Sequence, residues 1–462
     1  MPPARSRREA WCLRAVALAG PWSVACSDAV AECRSIRCQS ADIHVATWWA
    51  GTDGGAGAWL AERAESNLAV GEVVWSQFPT RPALVAAMDA MLTGAGPPPV
   101  DAMMVNGGPD VLRWASCGAG GTPSLLMRLD DLYRGLQAAY APPVLRGIEC
   151  AEGGLYAMPL GMHRINHVFY NRERVAACSS DAVRDVSSLV DWFRCLKGEA
   201  DATVVALPTV GCVAECDDSG SPECVHCERT LAEPAQFLLE NVVLLGGRER
   251  YEAAPSELAD PCLSPQDGAL GSALDDLSGE LRPFVNNCGG ADCAPTDLAG
   301  AASQVADGRA ALLVMPDWYH PGDVPWQGQW DHHVEQAPFP GTQDSFAFTL
   351  DAFAVPAPSS PEAALRREAS MRWLDVLLDP QDQRYFVRKK KATPALAALQ
   401  DASLAQQLLP SLDARLTSAE LAAHLRSALL AWLRAGRKPL SHELLAAAPM
   451  DCEQGAEACS CP

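Results

Sequence analysis

The chain has 462 residues, of which 48% are hydrophobic and 20% are charged, as in soluble globular proteins large enough for two domains. Its net charge of −21 argues against nucleic-acid binding, because nucleic acids attract basic protein surface. A compact basic run does occur at Arg388–Lys391, where it is equally typical of a solvated helix end.

The first residues have the pattern of an export signal. Arg5, Arg7, Arg8 and Arg14 precede a short apolar stretch, and small residues lead to Cys26. The segment "SVAC" is similar to a bacterial lipobox, in which Cys26 would be lipidated, and "SRREAW" is similar to a twin-arginine signal. We therefore expect residues 1–26 to be an export signal and lipobox, residues 27–40 to be a flexible leader, and the mature chain to be periplasmic or a membrane-tethered lipoprotein.

The 18 cysteines would suggest metal binding in a reducing cytosol and disulfides in an oxidising compartment, and the export signal favours disulfides. In an exported protein, closely spaced cysteines predict disulfides. One set of four, Cys212, Cys216, Cys224 and Cys227, could instead bind zinc as thiolates, since its spacing also suits that metal. The close sets are Cys33 and Cys38; Cys178 and Cys195; Cys212, Cys216, Cys224 and Cys227; Cys288 and Cys293; and Cys452, Cys459 and Cys461.

Strands and helices alternate in the first part of the chain after residue 42. This alternation predicts an α/β domain with a mostly parallel sheet. In such sheets ligands collect beyond the carboxyl ends of the strands, where Trp48, Trp49 and Asn106 lie. The predicted strands are 43–49, 71–78 and 100–108, and the predicted helices are 58–68 and 81–94.

The remainder of the chain is less regular and contains no long linker. Residues 153–171 combine Pro and Gly with an extended apolar run, which suits a crossing between domains, and residues 209–230 form a cysteine-rich insertion. Without a linker, two lobes joined by several crossings are favoured over separate domains. We predict helices at 126–136, 186–199, 234–247, 362–380 and 417–448, a strand at 308–318 and an extended run at 344–356.

Six segments in this order carry a resemblance to a known family. Together they resemble the extracellular solute-binding proteins, family 1, of ABC transporters, in the branch that binds glucose, mannose and related sugars. The resemblance runs from Ile43 to Ala395. The segments are "WWAGTDG", "MRLDDLYRGL", "LYAMPLGMHRINHVFYN", "GRAALLVMPDW", "FPGTQDSFAFTLDAFAVP" and "KKKATPA".

The resemblance implies a two-lobe periplasmic-binding-protein fold, type II-like, with a ligand cleft between the lobes. It implies a monomer without cofactor or catalytic activity, which delivers a mono- or oligosaccharide to ABC permease subunits in the membrane. We expect residues 41–158 and 353–393 to form the N-terminal lobe, residues 159–352 and 394–448 the C-terminal lobe, and residues 449–462 a cysteine-containing tail.

A sugar site needs flat aromatic surface for the C–H faces of the ring and polar groups for its hydroxyls. By resemblance, Trp48 or Trp49 stacks on the sugar while the other supports the turn, and Trp318 forms an aromatic wall on the second lobe. Asp53 and Asp351 accept hydrogen bonds from hydroxyls. The alternatives are that both adjacent tryptophans are structural and that Asp53 is an acid at a helix N-terminus.

Four further residues complete the predicted ligand set. Asn106 follows the third strand, His163 and Asn166 match a His-Arg-x-Asn element of the family, and Lys390 matches a lysine that reaches the sugar. Asn106 could equally be a turn residue, Asn166 a hinge-capping residue and Lys390 part of the solvated basic run.

The chain also departs from the family pattern. Lys391 and Ala392 replace the usual Gly-Ser after the lysine, Leu396 replaces an arginine, and the family's tryptophan just before the helix at "PAQFLLE" is missing. These departures leave open a degenerate surface or sensor lipoprotein. The paired carboxylates of Asp53 and Asp351 leave open a glycosidase, and the cysteine-rich insertion leaves open a zinc-binding module.

Overall fold

The computed structural model describes most of the chain between residues 42 and 432. The described residues are 42–48, 56–66, 72–78, 81–92, 100–115, 124–130, 135–150, 154–198, 203–208, 222–259, 268–286, 297–319, 332–357, 361–412, 425, 427–429 and 432.

The first part of the chain alternates strands and helices as predicted. Strand β1 pairs in parallel with both β2 and β3, which confirms the parallel arrangement expected from the alternation. The elements are β1 (Ile43–Thr47), α1 (Ala56–Ser66), β2 (Val73–Gln77), α2 (Arg81–Leu92), β3 (Ala102–Asn106), α3 (Pro109–Ala115), α4 (Pro142–Leu145) and β4 (Met158–Arg164).

The middle of the chain forms a second sheet with its own helices. Its four strands run in the order β6-β7-β5-β8. The elements are β5 (His167–Asn171), α5 (Arg172–Val175), α6 (Val186–Lys197), β6 (Thr203–Ala206), α7 (Pro222–Leu245), α8 (Arg248–Ala259), α9 (Ala269–Ser278), α10 (Leu298–Ala306), β7 (Ala310–Val314) and β8 (Val334–Pro338).

The chain then returns to the first sheet. That sheet has seven strands in the order β10-β4-β9-β3-β1-β2, and β11 pairs with β9. Strand β9 lies antiparallel between β3 and β4 and so occupies the middle of the sheet. The returning elements are β9 (Phe346–Ala354), α11 (Pro361–Leu378), α12 (Pro380–Lys390), β10 (Thr393–Pro394), α13 (Ala402–Gln407) and β11 (Leu408–Pro410).

The hydrophobic cores of the described residues define two lobes. One core covers the first sheet, and the second sheet packs against a second large core and a smaller cluster that includes Phe169 and Leu313. The packing changes from the first core to the second between Met162 and Ile165, returns to the first near Phe346, and changes again between Leu408 and Leu409. The lobe boundaries predicted from the sequence lie near the first two changes and further from the third, and the predicted division stays a prediction.

Helix α6 shows how local sequence sets an element in the second lobe. The Asp185 carboxylate accepts a hydrogen bond from the Ser188 amide, and the Ser188 hydroxyl accepts a hydrogen bond from the Asp185 amide. This capping box satisfies amides that have no partner inside the helix. The helix then buries an apolar face that includes Trp192 and Phe193.

Two sequence predictions of helices need correction. Residues 126–130 are extended rather than helical, because the Met127 amide donates to Val355 and the Leu129 amide donates to Leu155. These long-range hydrogen bonds override a helical pattern, and Leu136 lies in a short 3-10 helix (Leu136–Ala139). Helix α7 begins at Pro222, ahead of Pro234, so the end of the cysteine-rich insertion is helical. Helix α7 also contacts α2 of the first lobe.

One predicted cysteine pair is confirmed as a disulfide. Cys178 and Cys195 are joined with a sequence separation of 17, and Cys150 is also disulfide-bonded. Cys212 and Cys216 lie outside the described residues, so the choice between disulfides and zinc stays open for that set. Within the described ranges, no group of three or more His, Cys, Asp or Glu side chains could hold a metal ion.

We expect the double change Cys178→Ser and Cys195→Ser to lower the free energy of unfolding by about 3 kcal/mol, because a loop of this length loses its closure constraint in the unfolded chain. Urea denaturation of the oxidised protein and of the double variant measures the difference. Equal midpoints with equal slopes would contradict the prediction.

Over the part of the chain that the structure describes, no helix is both long and apolar enough to span a bilayer.

Candidate functional site

Predicted site residues meet where three strands of the first sheet adjoin. Asp351 on β9 lies opposite Asn106 on β3 and opposite Gly161 on β4. Residues opposite each other in neighbouring strands point to the same face, and His163 shares that face because it lies two residues after Gly161. The sheet therefore brings Asn106, His163 and Asp351 together.

His163 lies between two carboxylates. Its Nδ1 atom is 3.0 Å from Asp317 Oδ1, and its Nε2 atom is 3.3 Å from Asp351 Oδ2. Only 3% of His163 is exposed, so both contacts lie away from solvent. Asp317 follows β7, which places the second lobe on one side of the imidazole and the first lobe on the other.

Asp351 has a free acceptor atom in a buried place. Asp351 is 7% exposed, and among the described residues its Oδ2 atom has no well-formed hydrogen bond. We treat the 3.3 Å contact with His163 as an ion pair, because its geometry does not meet the requirements of a hydrogen bond. A buried carboxylate oxygen without a hydrogen-bond donor is costly, and a ligand hydroxyl could satisfy it.

The charges of the site depend on one another. Burial lowers the pKa of His163, but the carboxylates of Asp317 and Asp351 more than offset it and raise the pKa to about 9. Burial raises the pKa of Asp351, whereas His163 and Lys390 lower it, and the net effect is a pKa below the ordinary value. At neutral pH the site thus contains an imidazolium between two carboxylates.

Trp318 provides the aromatic surface expected on the second lobe. Its ring meets the His163 ring edge to face, with centroids 5.5 Å apart, and the Phe237 ring in the same way at 5.8 Å. Trp318 is partly buried against the second core. These two contacts fix the indole beside the carboxylate–imidazole cluster.

Lys390 approaches the site from the end of α12. Its charge lowers the pKa of the Asp351 carboxyl, which places the two groups within electrostatic range. The chain after α12 lies against β4, since a Cβ atom at Gly161 would stand 3.2 Å from the Cβ of Ala392. The basic run is therefore a helix end, and its Lys390 lies within electrostatic range of Asp351.

The turn that carries Asn106 is held by a buried ion pair. Asp110 Oδ2 accepts hydrogen bonds from the Asn106 amide at 3.0 Å and from Arg81 Nε at 2.8 Å. The next residue, Gly107, packs so closely that a Cβ atom there would lie 2.9 Å from Leu350. Asn106 is thus both a turn residue and a residue fixed at the edge of the site.

Asn166 joins two lobe crossings. Its Nδ2 atom donates to the carbonyl and hydroxyl of Thr342 and to the Ser345 carbonyl, at 3.0–3.1 Å. Its Oδ1 atom accepts from the Ala347 amide at 2.9 Å, and the residue is 1% exposed. Because every polar atom of the side chain is used and none faces solvent, the hinge-capping alternative fits Asn166 better than ligand binding.

The remaining predicted residues divide by position. Trp48 is partly buried and packs against the first core. Trp49, Asp53 and Cys26 lie outside the described residues.

Sequence reasoning missed Asp317 and the Arg81–Asp110 pair. Asp317 lies in the motif "GRAALLVMPDW", but the motif pointed to Trp318 and gave Asp317 no role of its own. The only local signal was an acid between an apolar strand and a tryptophan. Arg81 and Asp110 are 29 positions apart in sequence, so no local sequence pattern could show that they pair.

The two cores, the three crossings and a site between them define the fold class of two-lobe solute-binding proteins. No protein-family model matches the chain. A curated relative, the xylose/arabinose-binding protein XacG of Haloferax volcanii, is 23% identical over 243 residues, which are 52% of this chain. The match spans 45% of that relative's length.

Solved structures agree over far more of the chain. A chitin oligosaccharide binding protein has a TM-score of 0.62 at 15% identity, covering 88% of this chain and 98% of that one. The GacH receptor of Streptomyces glaucescens, studied unliganded and with acarbose, has a TM-score of 0.59 at 16% identity, covering 88% and 97%. These likenesses confirm the predicted two-lobe α/β fold.

Proposed function

We propose that this protein is the substrate-binding component of an ABC importer, which captures a mono- or oligosaccharide between its lobes and delivers it to a membrane permease. One observation carries the proposal: among the described residues, the buried Asp351 Oδ2 atom, at the junction of the lobes, has a 3.3 Å charge contact with His163 Nε2 but accepts no well-formed hydrogen bond. The sugars bound by the curated relative and by the structural neighbours support the same function.

The proposed chemistry gives each described residue a separate task. Asp351 accepts a hydroxyl hydrogen bond, which is strong because the acceptor is charged. Trp318 offers an indole to the apolar face of the ring. Asn106 and Lys390 contribute further polar groups for hydroxyls at the rim. Trp48, Trp49 and Asp53 remain candidates for the ligand set.

His163 takes a different role from the predicted one. Both of its ring nitrogens contact carboxylates, so its edge is not available to a hydroxyl. We therefore assign His163 to the support of Asp351 and Asn166 to the hinge. The ligand set becomes Trp48, Trp49, Asp53, Asn106, Trp318, Asp351 and Lys390.

We further propose that the protein is exported, tethered through Cys26 and monomeric, and that it acts without catalysis or a cofactor. The contact of Asp351 with His163 suits a fixed hydrogen-bond acceptor rather than the nucleophile of a glycosidase, and Asp53, the other acid of that alternative, lies outside the described residues.

A thermal-shift screen of monosaccharides and disaccharides, followed by calorimetry, tests the function. A sugar present at 1,000 times its Kd should stabilise the folded state by about 4 kcal/mol. Assay of the sugar after incubation is the control, because a binding protein leaves it unchanged. Failure of every sugar to shift the melting temperature, or consumption of a sugar, would contradict the proposal.

A further inference from the structure

The contacts around His163 determine its protonation state. A neutral imidazole has one donor nitrogen and one acceptor nitrogen. With carboxylate oxygens at 3.0 Å from Nδ1 and 3.3 Å from Nε2, either neutral tautomer would direct a lone pair at an anion. Only the imidazolium avoids this, because it donates a hydrogen bond to Asp317 and places its positive charge beside Asp351.

Asp317 fixes one side of this arrangement through the backbone. Its Oδ2 atom accepts a hydrogen bond from the Arg164 amide at 3.0 Å, and its own amide donates to the Arg164 carbonyl at 3.0 Å. The aspartate is therefore held at both ends to the strand that carries His163. This holds the end of β7, in the second lobe, against β4 in the first.

We propose that Asp317 is a positioning residue, which holds His163 as an imidazolium so that His163 keeps the Asp351 carboxylate ionised and oriented toward the ligand. The part of this inference that concerns affinity rests on the function proposed above. Asp317 acts through His163 and does not itself contact the sugar.

The other charges near the cluster do not replace this role. Lys390 on α12 acts on Asp351, and Arg164 on β4 is within electrostatic range of Asp317. The Arg164 guanidinium itself stacks on Phe346, 4.5 Å from the ring centroid. His163 is thus the cation that contacts both carboxylates.

The inference predicts how affinity and stability depend on pH. The pKa of His163 is raised from 6.5 to about 9, so its contribution to stability is fully present below pH 6.5 and is lost as pH rises through 9. Sugar affinity should be constant between pH 6.5 and 8. Above pH 9 it should fall by about tenfold per pH unit if the imidazolium form alone binds.

The test combines NMR titration with calorimetry on the full chain. The signal of His163, identified as the one missing in His163→Gln, should titrate near pH 9 without any ligand. In Asp317→Asn we expect it to titrate at a pH lower by about one unit or more, because an opposite charge has been removed. For a shift of one unit, sugar affinity at pH 7 should change by less than about twofold, because most of His163 stays protonated, and the loss of affinity at higher pH should begin about one pH unit lower.

Asp307→Asn is the matched control, since Asp307 is an exposed acid of the same lobe that pairs with Arg309 at 3.0 Å. Asp307→Asn should leave both the His163 titration and the pH dependence of sugar affinity unchanged. A His163 signal that titrates near 6.5 in the unaltered protein would overturn the inference, and this measurement needs neither a variant that folds well nor a ligand. Sugar binding with an identical pH profile in Asp317→Asn would also overturn it. A His163 titration near 9 without binding of any sugar would contradict the proposed function alone.

Discussion

Replacing Asp351 with asparagine should weaken sugar binding about 100-fold, because hydrogen bonds to a charged acceptor contribute about 1.5–3 kcal/mol each and the variant removes that charge. The substitution keeps the shape of the side chain. It also leaves His163 with one carboxylate partner, so the pKa of the imidazole should fall.

Isothermal titration with the most strongly bound sugar measures this change, and circular dichroism checks that the variant is folded. Asp307→Asn, which alters an exposed ion pair away from the site, serves as the control and should bind normally. If Asp351→Asn binds as tightly as the unaltered protein, Asp351 is not the hydroxyl acceptor.

Asn166→Ala should lower the free energy of unfolding by about 3 kcal/mol, because it removes a buried amide side chain that makes several hydrogen bonds (the Asn166 hub) and leaves backbone groups without partners. The hub joins the first crossing to Thr342, Ser345 and Ala347 in the second. The loss comes from the hinge rather than from either core, and the ligand groups keep their own contacts.

Asn241→Ala is the matched control for this experiment. Asn241 is equally buried, but it makes a single side-chain hydrogen bond, to the Phe237 carbonyl at 2.7 Å. We expect its loss to cost about 1 kcal/mol. Urea denaturation of both variants compares the two costs, and equal losses would show that Asn166 has no special part in joining the crossings.

The early strands and helices could be predicted because their sequence signals are local. Leu84 and Met88 on α2 recur at helical spacing and are both fully buried. The segment 126–130 could not be predicted in the same way, because its amides bond to Val355 and Leu155, which are far away in sequence. The start of α7 was predicted too late in the chain, at Pro234. Proline usually marks the beginning of a helix, but Pro234 lies inside α7.

The candidate site was predictable in its residue types and less so in its roles. Asp351 stood out as an acid within a strongly apolar strand, and Trp318 as the aromatic residue after another strand. The roles of His163 and Asn166 depend on Asp317 and on the second crossing, which only tertiary packing brings close. Such partners leave no periodic trace in the sequence.

A crystal structure of the protein with its most strongly bound sugar tests the central claim most directly. The account predicts a sugar between the lobes, with a hydroxyl about 2.5–3.0 Å from the Asp351 carboxylate and a ring face against Trp318. A saturating sugar found elsewhere on the chain, with the space beside Asp351 empty, would contradict it.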